Sequence, residues 1–227
     1  MEFKAYTDCL LSAFVHHTRQ SDVVKRKKEI IGGVGEFYNI APDTILYIGF
    51  SPAILVEQAA EIYVTEVSEN VLAYLTEQKI NVTHIPKDKL VDYKKQFQVV
   101  VALDEYFTFA NTDDGQKLSV AEICNLASEY LITTCKDYKN QIFLEFHDYD
   151  LQDRLSWKTT VHEVLGNKLT VAGAFARRAM FFKQLAKFAY DAEAVNFTVH
   201  KNLMYKSLIK KNYEHVISIQ FNSEYGS

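Results

Sequence analysis

Glu66, Asp104, Glu105 and His147 are the side chains whose settings suit them to chemistry, and Gly49 is the backbone position through which a ligand could reach them. Gly49 ends a short apolar, β-favouring run, Ile45-Leu46-Tyr47-Ile48. Lacking a Cβ, it lets a bound molecule come close to the main chain. Ile54 to Ala60 then reads as a helical segment, and Glu61 to Thr65 as a second strand that delivers Glu66 at its end. A carboxylate in that position can accept hydrogen bonds from two ribose hydroxyls. Glu66 follows Gly49 by 66 − 49 = 17 residues, near the roughly 20 found in nucleotide-binding α/β units.

Asp104 and Glu105 follow the strongest strand signal in the chain, Gln96 to Leu103, whose Val99-Val100-Val101 core is apolar without interruption, as in a strand covered on both faces. Ligands of open α/β sheets sit at the carboxyl ends of strands. Either carboxylate could therefore take a proton from a substrate hydroxyl or amine, or orient it. The alternative for Asp104 is a cap on the following turn. His147 is a candidate general base, since an unperturbed imidazole titrates near 6.5. Glu145, His147, Asp148 and Asp150 are also metal-ligating types, but their spacing matches no recognised site, and no metal is expected.

These positions need elements to hold them. Phe3, Tyr6, Leu10, Phe14 and His17 recur at helical spacing, which predicts an amphipathic helix over residues 2 to 18. Ser21 can cap a second helix, Asp22 to Ile31, carrying the basic cluster Lys25 to Lys28. Gly32-Gly33-x-Gly35 is no dinucleotide loop, because a charged helix and not a strand precedes it. It reads as a helix end. Further on, residues 69 to 78 read as a helix, 82 to 85 as a strand, 111 to 116 as a loop, Leu118 to Ala127 as a helix capped by Ser119, and Glu129 to Thr134 as a strand. That alternation implies a parallel sheet with right-handed crossovers. Residues 136 to 157 read as a short strand or hairpin over the cleft, Leu169 to Ala192 as containing a helix, and Asn196 to Ile209 with Tyr213 to Phe221 as a closing hairpin. Arg177 and Arg178 either reach an anionic substrate or cover a surface.

The stretch Asp43 to Asn70 resembles the first two motifs of the class I S-adenosylmethionine-dependent methyltransferases, with Glu66-Val67-Ser68-Glu69-Asn70-Val71-Leu72 similar to their acidic end of strand two. Asp104-Glu105-Tyr106-Phe107 resembles their fourth motif, and the final hairpin resembles their closing one, so the likeness spans about residues 43 to 221. The family usually has an acid two residues before the first glycine and a Gly-x-Gly-x-Gly turn. Here those places hold Tyr47, Gly49, Ser51 and Ala53, a degenerate form of the motif.

The resemblance implies an α/β, Rossmann-like methyltransferase sheet, mostly parallel with a C-terminal antiparallel hairpin, plus N-terminal helices. It implies a helical cap over residues 1–40 and an S-adenosylmethionine-binding domain over 41–227. Gly49, Phe50 and Ser51 would form the turn under the methionine part of the cofactor, between Tyr47 on one side and the Glu66-Val67 end of strand two on the other. Glu66 would hold the ribose and Asp88 the adenine, while Asp104 and Glu105 would border the transferred methyl group. The function implied is methyl transfer to an unidentified acceptor, a small molecule. The alternatives are an inactive methyltransferase-like binding or scaffold protein, and a nicotinamide-dependent oxidoreductase that lacks its three-glycine fingerprint.

Composition agrees with one α/β domain. Of 227 residues 48% are hydrophobic, which is enough for a core. A net charge of −4 gives no indication of nucleic acid as a partner. Cys9, Cys124 and Cys135 form no Cys-x-x-Cys pair, and no run reaches the ~18 apolar residues of a membrane span. Glu2, Lys4 and Asp8 interrupt any signal-peptide core, so a cytoplasmic location is expected, and a homodimer is allowed.

Overall fold

The computed structural model describes residues 2–17, 42–110, 112–136, 156–165, 168–206 and 213–222. The expected helix over 22–31, the glycines at 32–35, the strand or hairpin over 136–157 apart from its ends, and His147 with Glu145, Asp148 and Asp150 lie outside the described residues.

The continuous apolar runs become the centre of the sheet. β1 (Thr44–Ile48) lies parallel between β2 (Glu61–Thr65) and β4 (Phe97–Ala102), with Leu46 opposite both Tyr63 and Val100. β3 (Thr83–His84) flanks β2, and β5 (Ala127–Cys135) flanks β4 with Val100 opposite Leu131. Two antiparallel partners complete the sheet. β9 (Tyr213–Gln220) runs against β5, and β8 (Asn196–Lys206) pairs with β9 from the other side, giving the order β3-β2-β1-β4-β5-β9-β8. β6 (Ser156–Leu165) and β7 (Lys168–Arg178) form a separate antiparallel pair.

The described helices are α1 (Glu2–His17), α2 (Glu69–Glu77), α3 (Asp113–Cys124) and α4 (Phe182–Asp191). The aromatic stripe of α1 is inward as expected, with Phe3, Tyr6, Leu10 and Phe14 all buried. Ser68 caps α2 by accepting from the Val71 amide at 3.3 Å.

Three expectations need correction. The helix expected over 54–60 is reduced to a 3-10 turn, Pro52–Val56, started by Pro52 and by Ser51, whose hydroxyl accepts from the Ala53 amide at 3.3 Å. Glu57 then ends it, accepting from its neighbours Gln58 and Ala59 and from the Tyr47 hydroxyl, so residues 57 to 60 leave helical geometry. Next, α3 begins at Asp113 and not at Leu118: Thr112 caps it through the Gly115 amide, and Asp113 and Asp114 face the positive end of its dipole. Last, residues 168 to 178 form β7, and the helix expected between Leu169 and Ala192 occupies only Phe182–Asp191.

Candidate functional site

The carboxyl ends of β1, β2 and β4 meet at one edge of the sheet, and each ends in a backbone turn that ordinary residues rarely make. Gly49 has φ +81°, Glu66 φ 55°, Asp104 φ 58° and Glu105 φ 53°. Three acidic residues in the left-handed region at the ends of β2 and β4 mark the places where the chain is bent to present side chains.

Glu66 follows the last residue of β2 and its side chain is almost wholly buried. Lys87, from the turn after β3, forms an ion pair with it while keeping 57% of its own side chain exposed. Both line a cavity of about 290 Å³ that is also bounded by Phe3, Tyr106, Phe109, Ser119 and Glu122. Burial, with the Glu66 carboxylate adding to it, raises the Tyr106 hydroxyl well above the usual tyrosine range, so this phenol stays protonated. Asp88, one residue beyond Lys87, is exposed and lines an adjoining cavity of about 390 Å³ that shares Lys87, Tyr106 and Glu122 with the first. Glu66 and Asp88 thus line two neighbouring hollows that have Lys87, Tyr106 and Glu122 in common.

Asp104 and Glu105 stand in a second, fully buried cluster. The Tyr205 hydroxyl of β8 donates to Asp104 Oδ2 at 2.6 Å, and burial first, then the Asp104 carboxylate, lift this phenol well above its usual range. Asp104 Oδ1 is buried and has no hydrogen-bond partner among the described residues. Arg177, on β7, spans the turn beneath: its guanidinium donates to the carbonyls of Asp104 at 2.8 Å and Glu105 at 3.2 Å and to the Thr108 hydroxyl at 2.8 Å. It lies 3.9 Å from a Glu105 carboxylate oxygen and 4.2 Å from the Phe109 ring centre. The Glu105 amide in turn donates to Thr134 at the end of β5.

The turn after β1 is used differently. Tyr47 is buried with its hydroxyl on Glu57 at 2.6 Å, Phe50 packs on Phe14 and Tyr74, Ser51 caps the 3-10 turn, and Val67 is buried. None of the four lines the two hollows described above. Gly49 keeps the conformation the sequence demands, but α1 covers it: a Cβ there would lie 2.5 Å from a Phe3 ring carbon and 2.7 Å from the Thr7 methyl.

Sequence reasoning gave no role to Lys87 or Tyr205, placed Tyr106 only within the motif-like stretch 104–107, and left Arg177 between two readings. Tyr106 adjoins the Asp104-Glu105 pair and Lys87 adjoins Asp88, so chain proximity was a usable signal for those two. Tyr205 and Arg177 reach their partners from 101 and 73 residues away, which no local pattern records. No group of three metal-ligating side chains occurs among the described residues, and none of their helices is long and apolar enough to cross a membrane.

No protein-family model and no curated protein matches the chain in sequence. Solved structures do match it in fold. One is an S-adenosylmethionine-dependent methyltransferase from Clostridium acetobutylicum, with TM-score 0.63 and 12% identity over 87% of this chain and 92% of that one. A sugar N-methyltransferase from Streptoalloteichus matches with TM-score 0.60 and 12% identity over 90% of each chain. Magnesium protoporphyrin IX methyltransferase from Synechocystis, with bound SAH, matches with TM-score 0.57 and 11% identity over 95% and 94%. The architecture is therefore the Rossmann-like methyltransferase fold.

Proposed function

We propose that this chain is an S-adenosylmethionine-dependent methyltransferase acting on a small-molecule acceptor. The observation that carries the reading is Glu66, bent by its left-handed backbone into a hollow at the carboxyl edge of a β3-β2-β1-β4-β5-β9-β8 sheet. The sugar and porphyrin substrates in the names of fold relatives support a small acceptor. Residues 1–40 are proposed as a cap, residues 41–227 as the cofactor-binding domain, and the cytoplasm as the location.

The residues fit the nucleoside end of that cofactor. Glu66 would accept from the ribose hydroxyls, with Lys87 as the partner it exchanges, and Asp88 in the adjoining hollow would take the adenine amino group. The Tyr106 and Phe109 rings supply apolar walls. At the other end the fit fails as the chain stands, since Phe3 and Thr7 fill the space over Gly49 that an amino-acid tail would need. When bound, the cofactor supplies an electrophilic methyl group, and what the protein contributes is alignment. Asp104 would align an acceptor only after an opening, since it is buried and lines neither hollow; Tyr205 fixes one carboxylate oxygen, and the other would then accept from a hydroxyl or amine.

Calorimetric titration with S-adenosylmethionine, S-adenosylhomocysteine and NAD tests the reading. Micromolar binding of the first two and none of the third is expected. Silence from all three defeats it. Glu66→Ala should weaken binding by about 1.5–3 kcal/mol, the scale of charge-assisted hydrogen bonds. Unchanged affinity would remove Glu66 from the site.

A further inference from the structure

The two halves of the cleft are in different states. Beside Glu66 there is open volume, about 290 Å³, at the lower limit of the roughly 300–1,000 Å³ typical of ligand pockets. Over Gly49 there is none. α1 is seated on that glycine through Phe3 and Thr7, and it is held there by more than packing. Asp8 accepts from the Ser68 hydroxyl just beyond β2, the Phe3 ring meets Tyr106 and Phe109 edge-on at 4.7 and 5.0 Å, and the Thr7 hydroxyl, which donates to the Lys4 carbonyl at 2.7 Å, lies 3.4 Å from the Glu66 carbonyl. The same helix therefore forms one wall of the open half and fills the closed half. Charge narrows the ligand further: across the two hollows the acids Glu2, Glu66, Asp88 and Glu122 outnumber the cations Lys87 and Lys94, which disfavours a phosphorylated ligand.

We infer that the cleft, as folded, accepts an uncharged adenosine-type nucleoside without an amino-acid tail, and that α1 must leave Gly49 before a tailed nucleoside can seat. The inference rests on the proposed cofactor site. It makes α1 a gate that discriminates by tail, because the affinity of a tailed ligand is reduced by the fraction of molecules in which α1 has moved.

Hydrogen exchange of the full chain, read over residues 3–10 alone, with adenosine and with S-adenosylhomocysteine, separates the outcomes. Both ligands should bind. Adenosine should leave exchange in α1 unchanged, and S-adenosylhomocysteine should raise it at least tenfold. A second measurement uses Asp8→Ala, which removes an α1 anchor outside the hollow: S-adenosylhomocysteine should bind at least threefold tighter and adenosine within twofold of the wild type. If S-adenosylhomocysteine binds but leaves α1 exchange unchanged or lowers it, the gate is wrong and the cofactor reading stands. If S-adenosylhomocysteine binds and adenosine does not, the nucleoside half is insufficient alone and the inference falls, again without touching the cofactor reading. Binding of neither ligand overturns both. AMP binding as tightly as adenosine would overturn the charge argument.

Discussion

Arg177 shows how much one side chain can hold together at this edge. Its guanidinium is fully buried and ties the carbonyls of Asp104 and Glu105 and the hydroxyl of Thr108 to β7. A methionine there would fill much of the volume but take the guanidinium donor from the buried Asp104 carbonyl and Thr108 hydroxyl and the positive charge from beside the Glu105 carboxylate. Breaking a buried charged contact from one side costs far more than the contact contributes net. Arg177→Met should therefore lower stability by about 3–5 kcal/mol in urea denaturation, and a loss below about 1 kcal/mol would mean that the cluster relaxes without it. The placement of Glu66 at the end of β2 was legible because its signal is local: a strand, a glycine turn and a strand ending in an acid occupy one short stretch. Arg177 was not, because a pair of adjacent arginines reads equally as surface, and only the fold sets one of them inside and leaves its neighbour Arg178 on Asp113.

Among the elements, the seat of α1 on the end of β1 is the contact with the clearest consequence. Gly49 combines a positive φ, unfavourable by about 1–2 kcal/mol for a residue with a Cβ, with the Phe3 and Thr7 contacts already described. Gly49→Ala should cost about 2–5 kcal/mol, the backbone strain plus the penalty of overpacking. Combined with Phe3→Ala, the total should fall short of the sum of the singles by about 1 kcal/mol, since the ring that collides is gone. A strictly additive cycle would show that α1 does not press on the turn. The central strands were legible because β1 and β4 carry unbroken apolar runs, residues 45–48 and 99–102, buried on both faces. β7 was not, because Gly173, Ala174 and Ala176 carry little strand preference, and its alternation of buried Phe175 and Arg177 with exposed Ala174 and Ala176 emerges only from burial. The start of α3 was hidden by Asp113, Asp114 and Gly115, which read as a turn until Thr112 is seen capping them.

Over the whole molecule the parallel part of the sheet followed from the alternation of strands and helices, and the antiparallel hairpin that closes it from the family resemblance; the order in which the strands lie is set by the fold. The resemblance implied a helical cap over residues 1–40 but not the seat of α1 on Gly49, since nothing in an amphipathic helix says which apolar surface it will cover. That same burial sets how stability responds to alkali. Tyr47, Tyr106 and Tyr205 are all raised above the usual tyrosine range, in each case chiefly by burial, with Glu57, Glu66 and Asp104 respectively adding to it. The folded state thus keeps protons that the unfolded chain releases near pH 10. The sign is fixed by that difference: the contribution is complete below about pH 10 and is lost as pH rises toward the folded-state values. Each such tyrosine can remove about 1.4 kcal/mol per pH unit in that window, about 4 kcal/mol per unit for three. Tyr47→Phe deletes one of these protons and loses only a hydrogen bond to the partly exposed Glu57. Its urea midpoint should sit slightly below the wild type at pH 8 and fall less steeply above pH 10, so the two curves converge. Parallel curves would mean that Tyr47 ionises in the folded protein as readily as in the unfolded chain, and that the β1 end is wetter than its burial indicates.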